Sequence, residues 1–129
     1  MSDKSAKLST EDQEYLLELT EKLISIRSVK GIPTPDAPYG EETLRALTFM
    51  LSTAEQHGFA AKNLDGRVGY IEWGNGKEML GILCHLDVVP EGVGWTDDPF
   101  TLRMQNDRLY GRGIADDKGP ALSILMAMI

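Results

Sequence analysis

Two groups of residues have side chains able to bind or steer a metal ion: His85 with Asp87, and the adjacent acids Asp116 and Asp117. His85 and Asp87 lie two apart, where the apolar run Met79 to Leu83 ends. In an extended segment residues i and i+2 share a face. A metal-ligating imidazole there would have a carboxylate beside it to set its orientation. Taken alone, the pair fits equally a hydrogen-bonded His at a strand end with a surface Asp. Asp116 and Asp117 stand in Gly111-Arg112-Gly113-Ile114-Ala115-Asp116-Asp117-Lys118-Gly119-Pro120. Carboxylates among glycines suit a hard or borderline cation and can bridge two metals, which together clamp a carbonyl oxygen and activate water. Taken alone, this segment also fits a solvated turn. A phosphate loop fails, because Gly-x-x-x-x-Gly-Lys-[Ser/Thr] is absent and two acids stand where the anion would go. An EF-hand loop fails as well, since no alternating acids lead to a glycine at its sixth position.

These residues need elements to position them. Ser9 or Thr10 can cap a helix whose first turn holds Glu11 and Asp12. Leu16, Leu19, Leu23 and Ile26 recur at helical spacing on one stripe. The stretch Lys30 to Gly40 holds three prolines and two glycines and reads as a loop. A second helix is predicted over about Glu41 to His57, with Leu44, Leu47, Leu51 and Ala54 on one face and Gly58 to end it. Then the period changes. Arg67 to Trp73 reads as a strand leading to a Gly-Asn-Gly turn, and Met79 to Leu83 as a strand buried on both faces. Phe100 to Gln105 and Arg108 to Tyr110 flank Asn106-Asp107 as a short hairpin, and Pro120 opens a final helix over Ala121 to Ile129. The order predicts a layered α/β domain. The last helix is apolar almost all round and needs partners on every side, so the chain is expected to continue past Ile129.

Composition removes other classes of function. The 129 residues carry 13 basic and 20 acidic side chains, a net charge of −7. Such a surface repels phosphate backbones and anionic membranes, so no nucleic acid or membrane partner is expected. The longest apolar stretch, Ala121 to Ile129, is nine residues with one Ser inside it, too short to span a bilayer. The start, Met1-Ser2-Asp3-Lys4, is polar and has no signal-peptide core. A single cysteine, Cys84, forms no intrachain disulfide and suits a reducing cytoplasm. Cys84 is expected to be a small buried side chain, His57 a helix-end residue, and Arg103 and Arg108 exposed hairpin charges.

Four blocks taken in order say more than any one of them. His85-Leu86-Asp87-Val88-Val89-Pro90, Gly94-Trp95-Thr96-Asp97-Asp98-Pro99-Phe100, Leu109-Tyr110-Gly111-Arg112-Gly113 and Asp116-Asp117-Lys118-Gly119-Pro120 resemble the M20 metallopeptidase family. Asp65-Gly66-Arg67-Val68-Gly69-Tyr70 and Glu72-Trp73-Gly74 are similar to its dipeptidase branch, of the PepV and Xaa-His dipeptidase type. The resemblance implies a zinc-dependent exopeptidase with a three-layer α/β/α catalytic domain, its mixed sheet flanked by helices. Residues 1–129 would be the N-terminal part of that domain, without its remainder or the lid domain. It also implies two zinc ions as cofactor, with cobalt or manganese as substitutes, and a small peptide as substrate. By the same resemblance His85 binds one zinc, Asp87 orients that His and supports catalysis, and Asp116 bridges both ions. The Asp116–Asp117 peptide bond would be cis, and Trp95, Pro99 and Phe100 would shape a loop.

The family's mechanism also needs a Glu-Glu pair, another acidic ligand and a distant His, and no Glu, Asp or His follows Asp117. The expectation is therefore a dipeptidase by parentage whose isolated 129 residues are inactive. An N-acyl amino acid amidohydrolase or a tripeptidase is the enzymatic alternative. A non-catalytic assembly module, self-associating through the apolar C-terminal helix, is the alternative of another class.

Overall fold

The computed structural model describes residues 7–129, so the polar Met1-Ser2-Asp3-Lys4 start lies outside the described residues. Helix α1 spans Thr10–Ser25 and opens with a capping box: Ser9 accepts from the Asp12 amide while Asp12 accepts from the Ser9 amide. Helix α2 spans Glu41–Gln56, with Glu41 and Glu42 in its first turn, where the helix dipole favours anions. It ends at His57 and Gly58, whose φ of 82° only glycine adopts freely. Helix α3 spans Lys118–Met128 and starts three residues earlier than the apolar run alone indicates. Pro120 falls in its first turn, where no intrahelical N–H is lost.

Strands β1, Ala60–Leu64, and β2, Val68–Glu72, form an antiparallel hairpin with Ala60 opposite Glu72 and Leu64 opposite Val68. Asp65 and Gly66 both take positive φ and the Arg67 amide closes the turn on Leu64, as a tight hairpin turn requires. Strands β3, Arg103–Gln105, and β4, Arg108–Tyr110, form a second antiparallel pair around Asn106 and Asp107, also at positive φ.

The core is helical. Leu19, Leu23 and Ile26 of the α1 stripe meet Ala46, Met50 and Ala54 of α2 and Ala121, Leu122 and Leu125 of α3. The face of α2 turned to this core is thus offset from the stripe read in the sequence. Leu47 and Leu51 instead pack on Gly69 of β2, where any side chain would collide with them. One helix therefore serves two neighbours from adjacent faces.

The α/β class holds, with one departure. Met79 to Leu83 is not a strand buried on both faces: it has no strand pairing, and all its residues are exposed. Among the described residues the sheets are two separate antiparallel pairs, so the expected mixed sheet has no strand on either side of this run. Without neighbours, an apolar segment that cannot satisfy its own backbone gains no burial. The same exposure corrects Cys84, which is an exposed free thiol. Its pKa is nonetheless pushed up, first by partial desolvation and then by the nearby Asp117 charge.

Candidate metal centre

The site forms where that run meets the helical core. Ser28, fully buried just beyond α1, donates its hydroxyl to the Leu86 carbonyl at 2.6 Å and accepts from the Val88 amide at 3.0 Å. Leu86 packs against the core, and Val88 is buried. Alternation then turns His85 and Asp87 outward to solvent. The second half comes from the turn before α3. The Gly119 amide reaches the Gly113 carbonyl at 3.3 Å, and a side chain at Gly119 would collide with the Ile114 carbonyl oxygen. The Asp116–Asp117 peptide bond is cis.

The two halves meet. His85 Nε2 lies 2.9 Å from Asp116 Oδ1. His85 Nδ1 lies 3.1 Å from the Asp87 carbonyl oxygen and 3.3 Å from Asp87 Oδ1. The His85 amide donates to Asp117 Oδ2 at 3.2 Å, tying the strand-end segment to the acidic turn. Desolvation pulls the imidazole pKa down, but hydrogen bonds to Asp116 and Asp87 outweigh it and hold His85 above its ordinary value.

This donor set fits part of a zinc or similar site. One imidazole nitrogen and one carboxylate oxygen converge on an exposed face, close enough to share a cation. The other ring nitrogen is held by Asp87, the arrangement that leaves Nε2 free to ligate. The set is incomplete: among the described residues no group of three or more His, Cys, Asp or Glu side chains is arranged to hold a metal.

Lys118 and Ser28 escaped the sequence reading. Lys118 has no solvent exposure, and its Nζ donates to the carbonyls of Leu23 at 3.0 Å and Ile26 at 2.6 Å. Burial pushes its pKa down to about 8, against a small upward pull from Glu42. A lone lysine at the head of an apolar helix was the available signal.

Around the site, Glu91 accepts three hydrogen bonds from Arg27, of 2.8, 3.2 and 3.3 Å. The Glu91 carbonyl accepts from Trp95 at 2.7 Å and from Arg112 at 3.0 Å. Arg112 lies over the Trp95 ring and Arg27 over Phe100, so these aromatic residues order the loop. Arg103 is less exposed than expected, because it covers Tyr110 and pairs with Asp97 at 3.2 Å. His57 ends α2 as anticipated, and its Nε2 also lies 2.8 Å from the Tyr15 hydroxyl, tying α2 to α1.

Comparison with known proteins identifies the class. The family profile described as Peptidase family M20/M25/M40 matches residues 81–129, the span holding all four sequence blocks. Residues 81–129 thus match the M20 family profile, and the resemblance read in the sequence is borne out. The chain is 46% identical over 118 residues to the Bacillus subtilis protein named "Putative dipeptidase YtjP", covering 90% of this chain and 26% of that protein. It is 39% identical over 125 residues to the Beta-Ala-Xaa dipeptidase of Lactobacillus delbrueckii subsp. lactis, covering 95% of this chain and 27% of that enzyme. The crystal structure of human carnosine dipeptidase 1 superposes with a TM-score of 0.71 at 26% identity, over 91% of this chain and 28% of that one. The chain thus spans about a quarter of the length of the curated relatives it matches. Among the described residues, no helix is long and apolar enough to cross a membrane.

Proposed function

We propose that these residues supply half of the dinuclear zinc centre of a dipeptidase that hydrolyses small peptides in the cytoplasm. The observation that carries this reading is the 2.9 Å approach of His85 Nε2 to Asp116 Oδ1, with Asp87 on the opposite ring nitrogen. His85 would ligate one ion and Asp116 would bridge two. Asp87 would hold the imidazole in the tautomer that presents Nε2. Bound zinc would supply Lewis-acid polarisation of the scissile carbonyl and acidify water. The dipeptide names of the relatives in Bacillus and Lactobacillus favour a dipeptide substrate over an N-acyl amino acid or a tripeptide.

A stable zinc site uses three or four protein ligands. The remaining ligands and the general base would therefore come from outside these 129 residues. The test is hydrolysis. Purified 129-residue protein, supplied with zinc, cobalt or manganese, is expected to leave β-alanyl and α-dipeptides intact. Cleavage that persists through repurification and vanishes in His85→Ala would overturn the half-site reading.

A further inference from the structure

We propose that Lys118 is a positioning residue, whose ammonium pins the Asp116 turn to the C-terminal end of α1 so that Asp116 meets His85. The proposal rests on the reading of His85 and Asp116 as metal ligands. A helix end carries partial negative charge, and the Leu23 and Ile26 carbonyls, which accept the Ile26 amide at 3.3 Å and the Ser28 amide at 2.8 Å, each keep a second lone pair, so the end is a socket for a cation. Lys118 fills that socket completely, reaching Leu23 and Ile26 from more than ninety residues away in sequence. It follows Asp117 directly, so any shift of its anchor is passed to Asp116 through two peptide bonds. Its stem is also wedged. A Cβ at Gly113 would come within 3.0 Å of Lys118 Cδ and 2.9 Å of Val88 Cγ1, so the turn, the His85 segment and the lysine interlock without spare room.

Residues 23–28 hold the other half as well, because Ser28 grips the backbone on both sides of Asp87. Both ligand-bearing segments are thus referenced to one helix end, a common datum for groups far apart in sequence. Stability alone does not explain the choice of residue. A buried ammonium gives up its hydration at considerable cost, whereas an apolar side chain of similar length would fill the same space without it. What the ammonium adds is direction: two carbonyls define one place for Nζ, while a flexible methionine adopts several.

The test compares wild type, Lys118→Met and, as the reference for a broken contact, Asp116→Ala, each in the full 129-residue chain. Far-UV circular dichroism reports the helices, 1H–15N spectra report the His85 ring, and cobalt titration reports the site. Lys118→Met is expected to keep its helical signal while its His85 ring resonances move toward those of Asp116→Ala. Cobalt affinity should fall by about ten- to a hundredfold, the usual effect of losing a residue that orients a ligand. A folded Lys118→Met with wild-type His85 resonances would overturn the proposal. If the variant loses its helical signal, the spectra are read after refolding with trimethylamine N-oxide, which favours burial. Failure to refold at any osmolyte concentration would make Lys118 a stability residue and overturn the proposal too. A wild-type chain with no cobalt affinity would instead overturn the metal reading, and the His85 spectra would then decide the role of Lys118 by themselves.

Discussion

Two mostly apolar stretches of five residues reach opposite ends in this molecule. In Leu122 to Met126, Leu122 and Leu125 are 1% and 2% exposed, whereas in Met79 to Leu83, Met79 and Leu83 are 92% and 98% exposed. Hydrophobicity does not separate them; backbone accounting does. A helix satisfies its own amides and carbonyls, so α3 needs only a packing face, which α1 and α2 provide. An extended run needs a neighbour on each edge before burying its side chains becomes favourable. The metal-site residues sit at the boundary. His85 lies two residues beyond the unpaired run, while Leu86 and Val88 are already fastened to Ser28.

Substitutions on the two sides of that boundary should differ in size. The largest effect is expected in the helical core. Leu23→Ala, at a fully buried position, should lower the unfolding free energy by about 2–5 kcal/mol in urea denaturation. A loss too small to resolve would mean that α1 is not the organising helix. Next comes the boundary. Ser28→Ala removes the hydroxyl that holds the Leu86 carbonyl and should cost about 0.5–1.5 kcal/mol. Amide exchange at Val88, whose amide bonds the Ser28 carbonyl, should quicken while α3 stays protected; uniform quickening would erase the distinction between anchor and core.

On the exposed side, Leu83→Ser should change stability by no more than about 0.5 kcal/mol. Any concentration-dependent association seen by sedimentation should weaken, since the variant shortens an exposed apolar strip. A drop comparable with Leu23→Ala would show that the run is buried after all. The smallest effect concerns protons at the boundary. His85 has a raised pKa in the folded chain, so its protonated form favours folding. That contribution is complete below the unfolded value of about 6.5 and fades as pH rises through the folded value. Metal-free wild type should therefore lose slightly more melting temperature between pH 6 and pH 8 than His85→Ala does. Identical pH dependence in the two would place His85 away from its acidic neighbours.

The helices were legible because their signals are local. Ser9 and Asp12 announce a cap, Leu16 to Ile26 a stripe, and Gly58 a stop, and each needs only a few consecutive residues to be read. The Asn106-Asp107 hairpin was legible for the same reason. Strand β1 was not, because Ala60, Ala61, Lys62 and Asn63 are poor strand formers. It forms as the partner of β2 across the Asp65-Gly66 turn, and that dipeptide was the available clue. Met79 to Leu83 misled because its composition describes a strand in a sheet, while burial depends on which strands lie beside it. At the site, residue types and order pointed to His85, Asp87 and Asp116. The approach of His85 to Asp116 depends on Ser28 and Lys118, anchors acting over roughly sixty to ninety-five residues, and no spacing rule reaches that far.

The metal-site proposal requires that His85 and Asp116 form one shared ligand pair on this chain. Calorimetric zinc titration of wild type, His85→Ala and Asp116→Ala tests it most directly. The expected result is weak, saturable binding to wild type that disappears in both variants, while helical content is unchanged. Binding to either variant as tight as to wild type would place the metal elsewhere and contradict the account.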